Sequence, residues 1–224
     1  MVGVVSIGIV LFAVIVVGLG FYGMYRPWQL KWGATREEVA RSMPGDEVVS
    51  LAMFNATRAV TIRAQPEDVW PWIAQMGFGR GGWYSYDVLD NLGHHSAERI
   101  VPELQHLEAG DLIPMGPGAD SGMRVKGFVV DRWILWWDGK NQLMTWAWAL
   151  DPLPDGNTRL VTRVRSRSSW SHVSGVWLPL VEVADFPMMR KCLLNIKRRA
   201  EVLALARDTE ATRTSPTRKE GSTI

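Results

Sequence analysis

The sequence predicts an α+β fold in which a curved antiparallel sheet wraps one long C-terminal helix, preceded by a single transmembrane helix. Three patterns lead to this prediction. An uncharged apolar run opens the chain, five short strand-like segments follow residue 110, and an apolar stripe with helical spacing lies near the C-terminus. A strand and helices before the five segments complete the element order of a helix-grip fold, which leaves a cavity between the sheet and the last helix.

The composition is that of a folded chain without a strong charge. The 224 residues are 47% hydrophobic and 21% charged, and the formal net charge of +2 lacks the basic excess typical of nucleic-acid binders. Cys192 is the only cysteine, which excludes an intramolecular disulfide. Twelve tryptophans against four tyrosines favour an interface or a ligand cavity, because a buried indole N–H still needs a partner.

Residues 1–25 are predicted to be a transmembrane anchor. From Val2 to Tyr25 no side chain is charged, and a helix of that length measures about 36 Å against about 30 Å of bilayer hydrocarbon. No basic residue precedes the run and no small-residue cleavage site follows it, so an uncleaved anchor is favoured over a signal peptide. Basic residues follow the run, and the positive-inside rule therefore places the body of this single-pass protein on the cytoplasmic side of the cell membrane. A buried core helix is the alternative interpretation.

The remaining chain divides into three predicted parts. Residues 26–57 form a juxtamembrane helix and connector, because Thr35 and Glu38 have the spacing of a capping box. Residues 58–207 form the helix-grip domain, and residues 208–224 form a disordered tail without apolar periodicity. The first strand is predicted at 59–64 and is followed by a helix that begins at Pro66. The five later strands are predicted at 111–115, 123–130, 133–137, 143–150 and 158–168.

The two last elements carry informative patterns. The final helix is predicted to begin with Asp185 as its N-cap and Pro187 in its first turn. Its apolar stripe consists of Met189, Leu193, Ile196, Ala200 and Leu203. The last strand alternates apolar residues with four arginines, which predicts one solvated basic face on an edge strand, or contact with anionic headgroups. These arginines are Arg159, Arg163, Arg165 and Arg167.

Several sequence runs are similar to a known superfamily. The runs AQPEDVWPW (64–72), GRGGWYSYD (79–87), SAERIVPE (96–103) and NIKRRAE (195–201) resemble the START/Bet v1-like superfamily. This superfamily is also called SRPBCC, or the polyketide cyclase/dehydrase and lipid-transport group, and the runs resemble its uncharacterised bacterial branch. The resemblance covers about residues 32–206. It implies a helix-grip fold with a pocket for an apolar molecule, and it implies no particular reaction.

Five aromatic residues are predicted to bind the ligand. Trp83, Tyr84 and Tyr86 lie beside a glycine-rich loop, where the backbone can approach a ligand closely. Trp146 and Trp148 share one strand face, and on a concave face they offer flat apolar walls with indole donors to a lipid, a sterol-like or a polyketide-like molecule. Ordinary core packing of these rings is the alternative interpretation.

Two other classes of function stay open. A cyclase or dehydratase type of enzyme could draw acid–base groups from Tyr84, Tyr86, Asp87 or His95 in the same cavity. Asp87 and Asp90 form an acidic pair at i, i+3, a spacing that is also common on helix exteriors. No nucleophile motif is present and no catalytic residue is assigned. The third class is a membrane-tethered interaction domain with a filled core and no ligand.

No metal or other cofactor is predicted. One segment is rich in histidine and acid, but no third ligand follows at convincing metal spacing. Its residues are His94, His95, Glu98, Glu103 and His106. The predicted partners are therefore an apolar small molecule and the membrane, without nucleic acid. The identity of the ligand and the oligomeric state are left open.

Overall fold

The computed structural model describes residue 12 and residues 15–118, 121–139, 141–167 and 177–214. Within these ranges the chain forms one six-stranded antiparallel sheet and several helices. The strands are β1 (Phe54–Ile62), β2 (Leu112–Pro114), β3 (Gly122–Val129), β4 (Trp133–Trp137), β5 (Met144–Pro152) and β6 (Thr158–Ser166). The α-helices are α1 (Arg26–Gln29), α2 (Arg36–Ala40), α3 (Pro66–Ala74), α4 (Asp87–Asp90) and α5 (Trp177–Thr214). A π-helical turn covers Phe21–Tyr25 and a 3-10 turn covers Pro102–Leu104.

The strand order β1-β6-β5-β4-β3-β2 confirms the predicted helix-grip architecture. Every neighbouring pair of strands is antiparallel, and α5 packs against the inner face of this curved sheet. The five later strands lie within two residues of their predicted bounds. β1 begins at Phe54, five residues before the predicted start, and pairs with β6 along its whole length. This pairing carries the chain directly from the connector into the sheet.

The inner core joins the sheet to α3 and α5. The helix predicted to begin at Pro66 is α3, and its apolar residues are buried, including Val69 and Trp72. Met189, Leu193, Ile196 and Ala200 of the predicted stripe on α5 are buried as well. This stripe packs on α3 and β1, in the same core that holds the inner-facing side chains of β5. The helix and the sheet thus close around one apolar interior.

The bounds of α5 differ from the prediction at both ends. The helix begins at Trp177, so Pro187 lies inside it, and Asp185 pairs with Nη1 of Arg58 at 2.8 Å instead of capping a first turn. The helix also extends seven residues into the predicted disordered tail. There the hydroxyls of Thr209 and Thr212 donate to carbonyls four residues earlier, which satisfies both threonines within the helix. Residues 215–224 of the predicted tail lie outside the described residues.

The N-terminal part enters the domain beside α5. The first eleven residues of the predicted anchor, and residues 13–14, lie outside the described residues. In the part of the chain that the structure covers, no helix combines the length and the apolar character needed to cross a membrane. Trp28 of α1 packs on Phe186 with ring centroids 5.0 Å apart, and Tyr25 packs on the same ring at 6.3 Å. Buried Gln29 accepts from Arg58 through both its backbone and its side-chain oxygen.

The outer face of the sheet is covered by residues 36–50, here termed the outer segment. The predicted capping box is present, because Thr35 and Glu38 each accept from the backbone N–H of the other. From the capped helix α2 the segment continues across β1, β6 and β5, where Met43 joins a small outer apolar cluster that includes Ala147 and Val161. The sheet is therefore covered on both faces.

The prediction of a solvated basic face on β6 is wrong. β6 lies between β1 and β5, so it is a central strand of the sheet and not an edge strand. Nε of Arg159 lies 2.7 Å from a carboxylate oxygen of Glu38, and Nη1 of Arg163 lies 2.6 Å from a carboxylate oxygen of Asp46. Arg165 donates to the carbonyl of Val49 at 2.9 Å. Of the four arginines only Arg167 is exposed, because the outer segment supplies acceptors to the other three.

Candidate ligand-binding cavity

A cavity of about 340 Å³ lies between the inner face of the sheet, α5 and the loop that carries α4. Its volume falls in the lower part of the range of roughly 300–1,000 Å³ that small-molecule sites occupy. Ten of its fourteen lining residues are apolar. They are Phe54, Trp83, Leu89, Met115, Met144, Trp146, Val164, Met188, Met189 and Cys192. The other four are Ser85, Asp90, Ser166 and Asp185.

The sheet wall of the cavity is aromatic. Trp146 of β5 stacks on Trp83 with ring centroids 5.6 Å apart and an interplanar angle of 10°. Nε1 of Trp146 donates to the hydroxyl of Thr162 at 2.8 Å, so its polar atom is satisfied within the sheet. Phe54 and Val164 extend the same wall on β1 and β6. Strand alternation thus directs a continuous apolar surface into the cavity.

The opposite wall is soft and apolar. Met188, Met189 and Cys192 project from α5, while Met115 and Met144 approach from the strand ends. Methionine side chains have several rotatable bonds and adapt to irregular shapes. Burial raises the pKa of the Cys192 thiol, which keeps this sulfur protonated and unreactive. Cys192 is buried in this wall.

Asp90 is the unusual polar group of the lining. Both of its carboxylate oxygens are buried and have no hydrogen-bond partner among the described residues. The neighbouring Ser85 hydroxyl donates to the carbonyl of Met188 at 3.0 Å. Burial raises the pKa of Asp90; the nearby Ser85 hydroxyl opposes this rise and the Asp87 carboxylate adds to it. The cavity therefore combines apolar walls with one unsatisfied acceptor.

The structure brings two of the five predicted ligand-binding residues, Trp83 and Trp146, into the lining. Trp148 is buried beside Trp136 and Trp146 in the core and does not reach the cavity. Tyr84 is fully buried behind the cavity, where its hydroxyl donates to the carbonyl of Trp72.

Tyr86 lies at the surface instead. Its side chain is 42% exposed, and Nζ of Lys191 sits 3.9 Å from its ring centroid. The Tyr84 backbone, at a φ of 55°, adopts the left-handed conformation within this glycine-rich loop. The loop conformation therefore separates Trp83 from Tyr84 and Tyr86. The spacing of the three aromatic residues in the sequence does not predict this separation.

The other polar candidates are placed outside the lining. Nδ1 of exposed His95 lies 3.6 Å from a carboxylate oxygen of Asp87, which also accepts from the Ser96 hydroxyl at 2.6 Å. Glu98 pairs with Arg198 and Arg199 on α5. Within the described ranges, no three histidine, cysteine or acidic residues form a group that could hold a metal ion.

Sequence reasoning missed most of the lining. The lining methionines come from three separate segments, and no spacing in the sequence links them. Asp90 could have been noticed in the sequence, since it follows Leu89 in the short segment after the glycine-rich loop. Its spacing to Asp87 drew attention to an acidic pair. The structure separates the two, because Asp87 bonds to Ser96 while Asp90 faces the cavity.

The fold and cavity define a class of protein, namely a helix-grip domain with a largely apolar cavity. No protein-family model and no curated protein matches the chain. Among solved structures, a polyketide-cyclase-like protein from Corynebacterium glutamicum is 13% identical, with a TM-score of 0.42 over 73% of this chain and 96% of that one.

Two further solved structures are similar at the same level. The Aha1 dimer from Colwellia psychrerythraea is 14% identical, with a TM-score of 0.35 over 67% of this chain and 98% of that one. A protein from Chromobacterium violaceum is 13% identical, with a TM-score of 0.35 over 66% and 96%. Similarities at these identities and scores carry no information about what this chain binds, so its ligand has to be argued from its own cavity.

Proposed function

We propose that this protein binds a hydrophobic small molecule, lipid-like, sterol-like or polyketide-like, in the cavity between the sheet and α5. The observation that carries the proposal is the lining, in which ten of fourteen side chains are apolar around about 340 Å³. Transfer of apolar surface from water to such walls contributes roughly 25 cal/mol per Å², so an apolar ligand gains affinity from the walls alone. A ligand-free interaction domain would instead fill this space with side chains.

We further propose that the protein acts at the cytoplasmic face of the cell membrane. Support comes from the uncharged run of residues 2–25 and the basic residues after it. The chain that leaves this run reaches the domain at Phe186, directly after cavity-lining Asp185. Under this proposal the cavity lies close to the bilayer, where apolar molecules partition, and the tether raises their effective concentration at the site.

The geometry favours binding over catalysis by the residues that the sequence nominated. Tyr84, Tyr86, Asp87 and His95 are all outside the cavity lining. Burial raises the pKa of Tyr84, so its hydroxyl stays protonated in the core. An acid–base reaction on a ligand in this cavity therefore has no support from these four residues.

The proposal is tested by titrating the full-length chain in phospholipid nanodiscs with the neutral fluorophore N-phenyl-1-naphthylamine, after removal of co-purified lipid. We expect saturable binding above that of empty nanodiscs. Leu89→Trp should weaken it about tenfold or more, because Leu89 lines the cavity yet is 70% exposed, so a larger ring obstructs the mouth without disturbing the core.

Val88→Trp is the matched control. Val88 is the neighbour of Leu89 on α4, is 78% exposed and does not line the cavity, so its substitution should leave binding unchanged. Absence of saturable binding to a folded protein would overturn the proposal. Equal loss of binding in both variants would place the fluorophore on the surface of α4 and would also contradict it.

A further inference from the structure

The unsatisfied carboxylate of Asp90 contrasts with the other aspartates that pack against the domain. Asp46 faces Arg163 at 2.6 Å, Asp68 faces Arg207 at 2.7 Å, and Asp185 faces Arg58 at 2.8 Å. Asp90 has two buried oxygens and no such partner among the described residues. Buried polar atoms without a partner are uncommon in native proteins, because the lost hydration is not replaced. A ligand group in the cavity can supply that partner.

The charges around Asp90 select the sign of that group. Asp185, the other acid of the lining, is already paired with Arg58 at 2.8 Å, and the described residues of the lining include no lysine, arginine or histidine. Asp87 lies on the same short helix. On α5, Nζ of Lys191 sits over the Tyr86 ring, and Lys191 is not part of the cavity lining. Asp90 is therefore the carboxylate of the described lining that has no ion-pair partner, and its charge attracts a cationic ligand group and repels a carboxylate ligand.

We infer that Asp90 binds the headgroup of the ligand and that the ligand is an apolar molecule ending in a protonated amine. This inference rests on the proposed function. An ammonium carries three N–H donors, which can serve both oxygens of Asp90, since a carboxylate only accepts. The faces of Trp83 and Trp146 in the same lining favour a nearby cation as well. The methionine wall is left for the apolar tail.

The test compares three ligands with the same tail and different headgroups. Decylamine, decanol and decanoate compete with N-phenyl-1-naphthylamine for the full-length chain in nanodiscs at pH 7.5, and empty nanodiscs correct for partition into lipid. We expect decylamine to bind about tenfold or more tighter than decanol, because the ammonium offers a positive charge and three donors where the alcohol is neutral and has one donor, and decanoate to bind weakest.

Two variants test whether the Asp90 carboxylate causes the preference for decylamine over decanol. Asp90→Asn keeps the shape of the side chain and should abolish the advantage of decylamine over decanol. Glu103→Gln, which removes an exposed carboxylate outside the lining, should retain it. Equal affinities of decylamine and decanol for the unmodified chain, or an advantage that persists in Asp90→Asn, would overturn the inference while fluorophore binding upholds the proposed function. Loss of fluorophore binding itself would instead overturn the proposed function.

Discussion

The two faces of the sheet are covered by opposite means. The inner face meets α5 through large apolar side chains and keeps a cavity between them. The outer face meets the outer segment through arginines, with Arg163 alone donating to Thr57, to Asp46 and to three backbone carbonyls. Small residues such as Ala147 fill the space around them. Apolar packing thus tolerates an unfilled volume, whereas the arginine contacts fix one position of the outer segment.

A strand with alternating arginines therefore need not face water. Arg163 is 3% exposed although its neighbours in sequence gave the alternation of a half-solvated strand. Burial lowers the pKa of this guanidinium, and the facing Asp46 carboxylate opposes the change. Because the guanidinium has five donors in a fixed fork, it can satisfy the carbonyls at the C-terminal end of α2, which have no partner within that short helix.

The largest effect is expected from breaking the inner face. Leu193→Asp places an unpaired charge at a fully buried position of α5 and should lower the free energy of unfolding by about 4 kcal/mol or more. Thermal unfolding followed by circular dichroism measures the loss. Leu205→Asp makes the same change at a 67% exposed position of the same helix and should be nearly silent. Equal stabilities of the two variants would contradict the packing of this helix.

A smaller effect is expected from breaking the outer face. Arg163→Met keeps an apolar stem but removes the ion pair with Asp46 and the donor to three carbonyls of the outer segment, and should cost about 3 kcal/mol. Hydrogen exchange should rise over residues 36–50 and stay low in α5. Arg167→Met, at the exposed position directly after the same strand, should change neither measurement. Equal hydrogen exchange of residues 36–50 in the two variants would show that Arg163 does not hold the outer segment in place.

The smallest effect concerns Asp90 and depends on pH. Burial raises the pKa of this carboxyl in the folded state, so the folded protein holds the proton more tightly than the unfolded chain. Its ionisation therefore lowers stability as the pH rises from the ordinary aspartate pKa of about 3.9 through the raised value. Asp90→Asn cannot ionise, and its stability relative to the unmodified chain should grow between pH 4 and pH 8.

Melting curves of the ligand-free protein at the two pH values measure this change. Glu103→Gln provides the exposed comparison and should show no growth in relative stability. A constant difference between Asp90→Asn and the unmodified chain at both pH values would mean that the carboxylate is solvated and does not belong to the cavity wall.

The order of elements could be predicted because each element has a local cause. The capping box at Thr35, the stripe on α5 and the turns of the meander depend on neighbours within a few residues. The N-terminal bound of α5 could not be predicted in this way. Asp185 is a residue type that often caps helices, but here it pairs with Arg58, which is distant in the sequence. The environment of β6 likewise depends on strand order and on the outer segment, which are not local.

The site was less predictable than the fold. Trp83 and Trp146 could be named because glycines and strand alternation pointed to them, and both line the cavity. Trp148 has the same alternation as Trp146, but it packs on Trp136 from the neighbouring strand. The depth of a side chain in a curved sheet depends on its strand position relative to α5, and alternation alone gives only the face.

The methionines of the cavity wall have a consequence for the chemistry the site can withstand. Met115, Met144, Met188 and Met189 supply thioethers where the apolar tail of a ligand would lie. Such side chains reshape around straight or ringed tails, so tail shape contributes little to selectivity. Oxidation of a thioether to the sulfoxide would set a polar oxygen on this wall. Retention of the apolar tail thus depends on a reducing environment, and methionine sulfoxide reductases would restore it.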